Sequence, residues 1–499
     1  MTKKLIELIE KANIYDSVYK TQIDKLNKLS AKYENNILIK REDLQDVRSF
    51  KIRGALNKIN SLKEEEKQKG IIAASAGNHA QGVAFSAQKC KIKATIVMPI
   101  TTPQIKIDSV KSYGAHVMLH GDSYDDAHIH AKKIANKEDL TFIHPFDDLE
   151  VIAGQGTIAA EIINQINDID YIFIAVGGGG LIAGISSYIK SINPKVKIIA
   201  VEPENSNCFE QAIKHNKPIE INDVGIFADG VAVKKIGNLT FELSKKNVDD
   251  CILVSTDEIC ASIKDIYDDI RAIAEPAGAL STAGIKKYIY KNNIKNKTFV
   301  SILCGANINF HRLRHISERA QIGEKKEILL SISIREKKGT FLELCNHLSK
   351  FSITECNYRF SDSENANVFV GLEISSSNQR ESIIKSLSKN FSNVIDLTDN
   401  ELAKLHLRYM IGGKSEKKEY LYRFQFPEKP GALLNFLTSL GSNFNITLFH
   451  YRNHGSAFGR VLVGIEKEET KKLEFQSFLD QIGYKNYNES DNLATDLFL

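Results

Sequence analysis

Three stretches of the chain combine residue types that could do chemistry. The first is Val176-Gly177-Gly178-Gly179-Gly180-Leu181-Ile182-Ala183-Gly184, an apolar run that enters four glycines and leaves into a second apolar run. Bare backbone lets several N–H groups face one anion, and a helix starting there adds partial positive charge, so the stretch suits phosphate. It lacks the Lys-Ser/Thr ending of a nucleoside-triphosphate loop and does not match Gly-x-Gly-x-x-Gly cleanly, so a compact monophosphate is the expected ligand. The second stretch, Ser49-Phe50-Lys51-Ile52-Arg53-Gly54-Ala55, sets a lysine between two apolar side chains. Dehydration of that amine would lower its pKa and ready it as a nucleophile; taken alone, such a lysine is most often a surface residue laying its stem along apolar neighbours. The third, Ser75-Ala76-Gly77-Asn78-His79-Ala80-Gln81-Gly82, offers backbone N–H groups and an amide side chain to a carboxylate or a ring hydroxyl, and equally reads as a plain capped helix.

The elements that must position these stretches alternate between short β-branched runs and helical patterns from about residue 35 to 310, which predicts parallel sheets wrapped by helices. Expected strands are Ile71 to Ala74, Ala94 to Met98, Tyr171 to Val176, Ile198 to Val201, Ile252 to Val254 and Phe299 to Leu303. Each ends at Gly, Ser, Pro or Cys-Gly, where such sheets place their ligand crevice. A helical pattern over Ala55 to Leu62 follows Lys51, and the start of the chain reads as an amphipathic helix in which Glu7, Glu10 and Lys11 interrupt any signal-peptide core. Residues 171–189 carry no charge and approach the length of a membrane span, but the glycines in their middle argue for a loop.

After about residue 325 the texture changes and the chain repeats itself. Glu336-Lys337-Lys338-Gly339 recurs as Glu428-Lys429-Pro430-Gly431, Asn357-Tyr358-Arg359 as His450-Tyr451-Arg452, and Val370-Gly371-Leu372-Glu373 as Val463-Gly464-Ile465-Glu466, each at an offset of 92 to 93 residues. Two copies of one α/β module are expected, each a strand, a helix begun at glycine, and two strands. Two copies are too few for a solenoid, so a pseudo-symmetric pair sharing an interface able to hold a small effector is the natural arrangement.

Composition bounds the partners. With 42% hydrophobic and 26% charged residues the 499-residue chain is ordinary globular protein, and Lys+Arg 66 against Asp+Glu 62 gives no reason to expect nucleic acid or membrane. Seven scattered cysteines without a Cys-x-x-Cys pair read as reduced thiols and point to the cytoplasm. No metal site is expected from the cysteines and histidines.

Jointly the motifs resemble the fold-type II pyridoxal-phosphate enzymes, and among them the biosynthetic threonine ammonia-lyases. The resemblance rests on Lys40-Arg41-Glu42-Asp43 before Ser49-Phe50-Lys51, the Ser75 to Gln81 run, Gly177 to Gly180, Ala228-Asp229-Gly230-Val231, Glu275-Pro276-Ala277-Gly278-Ala279 and Gly305-Ala306-Asn307, all in family order. It covers nearly the whole chain. It implies an α/β catalytic domain over 1–322, built of two open, mostly parallel sheets with flanking helices and a small subdomain at about 41–145. An α+β tail of paired ACT-like regulatory repeats follows at 325–400 and 418–499.

Carried over by residue, the resemblance makes Lys51 the Schiff-base lysine and Phe50 a ring against the pyridine of pyridoxal 5'-phosphate. It gives Asn78 the ring hydroxyl, Ser75, Gly77 and His79 (with Asn78) the substrate carboxylate, and Gly177, Gly178, Gly179, Gly180 and Leu181 the phosphate. Cys304 stands where many relatives carry Ser, facing the pyridine nitrogen, and a thiol is a weak partner there. Ala76 replaces the hydroxyl with which serine racemases of this fold protonate the opposite face, so racemisation is expected to be poor. Glu275 reads equally as a secondary acid or as a carboxylate at a helix start.

The implied activity is deamination of L-threonine, and of L-serine, with isoleucine inhibiting through the tail, valine opposing it, and a homotetrameric assembly. Tyr358, Phe360, Phe449 and Tyr451 are candidates to line the effector site, and also ordinary core aromatics. A β-replacement enzyme and a non-catalytic amino-acid sensor are the alternative readings.

Overall fold

The computed structural model describes residues 1–335 throughout and, beyond them, 340–348, 351, 353–357, 364–409, 419–427, 435–436, 439–440, 444, 446–452, 458–466 and 472–499. The chain divides into two units, Met1–Phe310 and His311–Leu499.

The strands of the first unit are β1 (Ile23–Lys25), β2 (Asn36–Arg41), β3 (Ile71–Ala74), β4 (Ala94–Met98), β5 (His116–Leu119), β6 (Thr141–Phe142), β7 (Tyr171–Ala175), β8 (Lys197–Pro203), β9 (Asp250–Val254) and β10 (Thr298–Leu303). They form a large sheet in the order β1-β2-β10-β7-β8-β9 and a small one in the order β5-β4-β3-β6. Only β1 against β2 is antiparallel. Helices cover both faces, which is why β3 reads Ile-Ile-Ala-Ala with every residue buried instead of alternating.

All six strands expected from the sequence are present, and β1, β2, β5 and β6 add to them. The uncharged stretch at 171–189 resolves into β7, the glycine turn and the helix Gly180–Ile192. Among the described residues no helix is long and apolar enough to cross a membrane. The amino-terminal helix, Thr2–Glu10, buries Leu5 and Ile9 against Ile152, Ala153 and Ala183.

The strand orders locate the crevice before any side chain is considered. In the large sheet β7, β8 and β9 step outward in one direction while β10 returns to the other side of β7; in the small sheet β3, β4 and β5 step outward and β6 returns beside β3. Loops leaving adjacent strands at such a reversal diverge and open a cleft. The loops concerned are 176–180 after β7, 304–307 after β10, 75–78 after β3 and 143–147 after β6.

The second unit contains β11 (Glu327–Arg335), β12 (Ile353–Asn357), β13 (Asn365–Glu373), β14 (Asn393–Asp396), β15 (Glu419–Pro427), β16 (Ile446–Arg452), β17 (Phe458–Glu466) and β18 (Asn486–Asn488). Its two antiparallel sheets have one topology, β12-β13-β11-β14 and β16-β17-β15-β18. Even their irregularities correspond, since the pairing slips at Ile353/Glu355 in one and at Ile446/Leu448 in the other. Each module also carries a second helix, Ser377–Leu387 or Lys472–Ile482, and a short fourth strand, which the sequence repeat did not announce. The modules share a core in which Leu329 and Phe369 of the first meet their counterparts Leu421 and Leu462. Gly339, Gly412, Gly413 and Gly431 lie outside the described residues.

Candidate active site

Lys51 begins the helix Lys51–Asn60, four residues earlier than the sequence pattern suggested. The start is fixed by backbone pairing to the loop after β10: Phe50 N–H donates to the Cys304 carbonyl at 3.1 Å, and Ala306 N–H to the Arg48 carbonyl at 2.9 Å. From the other side the helix Asn78–Cys90 packs so closely that a Cβ on Gly82 would lie 3.0 Å from the Lys51 carbonyl carbon. Below the lysine, Arg53 is fully buried and binds Glu42 and Glu161, and Lys40 binds Glu161 in turn. Lys40-Arg41-Glu42-Asp43 is thus part of the foundation of the lysine helix.

The Lys51 amine donates to the Pro145 carbonyl at 3.1 Å and stands 5.3 Å from the centre of the Phe50 ring. Burial lowers its pKa to about 8, against the pull of Cys304 and Glu275. Two histidines nearby are kept neutral. His79 donates from Nε2 to the Ile143 carbonyl at 3.0 Å, and burial, then the Lys51 charge, pushes its pKa down to about 3. His144 accepts at Nδ1 from the Asp147 N–H at 2.8 Å and is lowered to about 4, chiefly by burial. The His79 side chain is therefore spent on the small sheet, while its backbone N–H stays at the helix start.

Gly177, Gly178, Gly179, Gly180 and Leu181 are buried, and among the described residues none accepts a hydrogen bond from their N–H groups. Buried donors of this kind need a partner. Gly179, at φ +89°, turns the chain into the helix Gly180–Ile192. Side chains are excluded here by contact as well as conformation: a Cβ on Gly178 would lie 2.1 Å from the Phe146 ring, and one on Gly177 2.9 Å from Val231 Cα. The loop's carbonyls are tied back, Gly178 accepting from Thr240 Oγ1 at 2.8 Å and from Gly237 N–H at 3.2 Å. This cradle of unpaired donors at a helix start fits a phosphate monoester, and the softened amine of Lys51 fits an aldehyde.

Asn78 faces a second network. Its Nδ2 donates to Glu275 Oε1 at 2.6 Å, its Oδ1 accepts from Asn307 Nδ2 at 2.7 Å, and Asn307 N–H reaches Glu275 Oε2 at 3.1 Å. Burial, then Asp229, raises the Glu275 pKa to about 7. Only glycine fits at 305, where a Cβ would lie 2.2 Å from Glu275 Oε1. Ser75 Oγ accepts from Gly77 N–H at 3.2 Å. Cys304 donates its thiol hydrogen to the Ala277 carbonyl at 3.3 Å, and burial, then Glu275, pushes that thiol well up.

Sequence reasoning missed His144-Pro145-Phe146-Asp147. Besides holding Lys51 and limiting the glycines, the segment uses the Asp147 carboxylate to cap the helix Asn238–Ser244 that carries Thr240. The only signal was a His-Pro pair shortly after a strand.

Tyr358 and Phe360 lie outside the described residues; Phe449 and Tyr451 are described as backbone positions of β16, opposite Val463 and Val461. His-x-x-x-His spacing does occur at His116/His120, His311/His315 and His450/His454, and among the described residues no group of three or more His, Cys, Asp or Glu that could hold a metal ion assembles.

A sequence profile of pyridoxal-phosphate dependent enzymes matches residues 14–305, and one of the C-terminal regulatory domain of threonine dehydratase matches 318–407 and 412–499. The biosynthetic L-threonine dehydratase of Salmonella typhimurium is 47% identical over 497 residues, covering 99% of this chain and 96% of that protein. The chain belongs to the biosynthetic threonine dehydratase family. Its cofactor is therefore pyridoxal phosphate. The family extends to a chloroplastic enzyme of Solanum lycopersicum, 46% identical over 98% of this chain and 81% of that one. The structure of processed threonine deaminase isoform 2 from the same plant is 44% identical, with TM-score 0.63, over 64% of this chain and 93% of that chain. Maize serine racemase shares the fold at 30% identity and TM-score 0.60, covering 64% and 98% of the two chains.

Proposed function

We propose that the chain converts L-threonine, and L-serine, to 2-oxobutanoate or pyruvate and ammonia as the first step toward isoleucine, with isoleucine inhibiting and valine opposing through the tail. The observation that carries this reading is the dehydrated Lys51 amine, lowered to about 8 and held by a single carbonyl within the same cleft as the unpaired glycine donors. When bound, pyridoxal phosphate supplies an electron-withdrawing ring that eases loss of the substrate's α-proton.

The chain's own groups do the rest. Gly177 to Gly180 and Leu181 would hold the phosphate by backbone N–H groups, with Phe50 beside the ring and the remaining amide hydrogen of Asn78 available to the ring hydroxyl. Ser75, Gly77, Asn78 and His79 offer the start of their helix to the substrate carboxylate. Lys51 would hold the cofactor through its amine and is the group placed to carry the substrate's α-proton; at a pKa near 8 it gains and loses a proton readily at neutral pH. Cys304 keeps its hydrogen on Ala277 and would offer the ring nitrogen no strong proton donor. The catalytic part is taken as 1–322 and the regulatory modules as 325–400 and 418–499, with Tyr358, Phe360, Phe449 and Tyr451 near the effector. The enzyme is taken to work in the cytoplasm as a homotetramer.

The test is 2-oxoacid release from L-threonine by the purified enzyme, with and without isoleucine, beside Lys51→Ala. Release abolished in the variant and reduced by isoleucine is the expected result. A wild type that binds cofactor and releases nothing from threonine or serine would overturn the reading.

A further inference from the structure

The two regulatory modules repeat one another down to single hydrogen bonds. Leu329 N–H donates to Thr398 Oγ1 and Leu421 N–H to Ser490 Oγ, both at 3.1 Å. Leu397 N–H donates to the Leu329 carbonyl and Glu489 N–H to the Leu421 carbonyl, both at 2.8 Å. Asn400 and Asn492 each cap a short helix, Glu401–Leu405 and Leu493–Phe498, and bond to each other at 3.1 Å, so the pseudo-twofold relation passes between them.

Against this repetition one pair of positions departs. Asn367 in β13 corresponds to Arg460 in β17, and each faces the short capped helix of the opposite module. Asn367 is closed: its Nδ2 donates to the Leu497 carbonyl at 3.0 Å and its Oδ1 accepts from Ser333. Arg460 is open. Its nearest carboxylate oxygen, Glu401 Oε1, is 3.8 Å away, and its five N–H groups make no hydrogen bond among the described residues. Glu401 is already engaged by the fork of Arg319, at 2.8 and 3.1 Å, and by Lys404 at 3.1 Å. Glu489 is engaged by Arg423 at 2.8 Å. Counting Arg460 itself, whose side chain is 21% exposed, four cations thus share two carboxylates here. Burial first, then Arg319 and Arg423 against the opposing pull of Glu401, draws the Arg460 pKa down to about 10, which leaves it charged at neutral pH beside a carboxylate it shares with other cations.

We propose that Arg460 anchors one small-molecule carboxylate per chain at this half of the module interface, and that the ligand is the α-carboxylate of the amino-acid effector. The inference rests on the regulatory reading above. A planar fork with all its donors unused is the group best matched to a carboxylate. Glu401 beside it disfavours a second negative charge, so a zwitterion fits better than inorganic phosphate. Among the described residues this place has no counterpart in the other half of the interface, because the symmetry mate is asparagine and already satisfied.

The experiment is isoleucine inhibition of threonine deamination by the intact holoenzyme, each curve normalised to its own rate without isoleucine, together with isoleucine binding by calorimetry. The proteins compared are wild type, Arg460→Gln, Arg460→Lys and Asn367→Ala, with inorganic phosphate as the competing anion. Arg460→Gln is expected to raise the half-inhibitory concentration roughly 10- to 100-fold, the weight of a charge-assisted hydrogen-bonded contact. Arg460→Lys should recover part of that, Asn367→Ala should follow wild type, and phosphate should compete weakly. Wild type and Arg460→Gln inhibited at the same concentration, or Asn367→Ala impaired as much as Arg460→Gln, would overturn the proposal while leaving feedback intact. A wild type indifferent to isoleucine would overturn the regulatory reading itself.

Discussion

Replacing Arg53 by methionine tests whether the buried charges under Lys51 hold the lysine helix in place. The guanidinium is fully buried and donates to Glu42 at 2.7 and 2.8 Å, to Glu161 at 2.6 and 3.1 Å, to Thr157 Oγ1 at 3.0 Å and to the Tyr19 carbonyl at 3.1 Å. Two cations, Arg53 and Lys40, balance two carboxylates. Methionine fills most of the volume but leaves Glu161 with Lys40 and the Tyr15 hydroxyl and Glu42 with only Thr21 and Gln45. An uncompensated buried carboxylate costs about 3–5 kcal/mol, far more than an exposed pair. The loss should appear in urea unfolding of the first unit and as weaker cofactor retention, because Lys51 is two residues away on the same helix. Replacing Arg53, Lys40, Glu42 and Glu161 together by apolar residues should recover much of the stability, since the desolvation cost then disappears with the charges. If Arg53→Met alone lowers stability by less than about 1 kcal/mol, the charges are not coupled as the distances imply.

Gly178→Ala places a Cβ 2.1 Å from the Phe146 ring and must displace the segment that also supplies the Pro145 carbonyl to Lys51. Overpacking of this kind costs about 1–3 kcal/mol, so cofactor affinity, read from absorbance titration of the apoenzyme, should fall about ten- to hundredfold; unchanged affinity refutes the cradle. Stability of the apoenzyme should be nearly level from about pH 4.5 to 6.5 and fall on either side. Glu275 and Glu202, raised to about 7 and about 8, favour the folded state less as pH rises above 4.5, whereas His79 and His144, lowered to about 3 and about 4, favour it less as pH falls below 6.5. Between the two limits the slopes oppose. From pH 6.5 to 8 the acids dominate, with Lys51 beginning to oppose them near its pKa of about 8, for a loss of about 2 kcal/mol in urea unfolding, most of it removed in Glu202→Gln; a flat profile over that interval refutes the assignment.

What was legible in the sequence was what composition marks. Four adjacent glycines after Tyr-Ile-Phe-Ile-Ala-Val could only be a strand entering a loop, and β3, β4 and β10 end at equally clear punctuation. β2 escaped because Lys40 and Arg41 break its apolar run, and those charges are buried only through Glu161, Asp24 and Asp43, which lie elsewhere in the chain. β6 has two residues, too few for any period to show. The tail repeat was visible where both copies bury the same residues, while the second helices, Ser377–Leu387 and Lys472–Ile482, share little sequence because each meets its own surroundings. Pro145 stayed silent for a different reason: it acts through a carbonyl; Asn307 was marked by its motif, but its role in the Asn78–Glu275 network was not.

The segment 144–147 explains how two sheets make one site. It leaves β6 of the small sheet, yet Phe146 abuts Gly178 and Gly180 after β7 of the large sheet, and Asp147 secures the helix whose Thr240 fixes the Gly178 carbonyl. The same segment gives Lys51 its hydrogen-bond acceptor. The anion cradle and the amine are thereby set against each other by one short stretch. His79 and His144, the groups that could have supplied further positive charge, are desolvated and committed to the backbone. On the proposed reading a phosphate would be held by N–H dipoles at a helix start, which bind charge without donating a proton, and the Lys51 amine would be left free to move the substrate's proton.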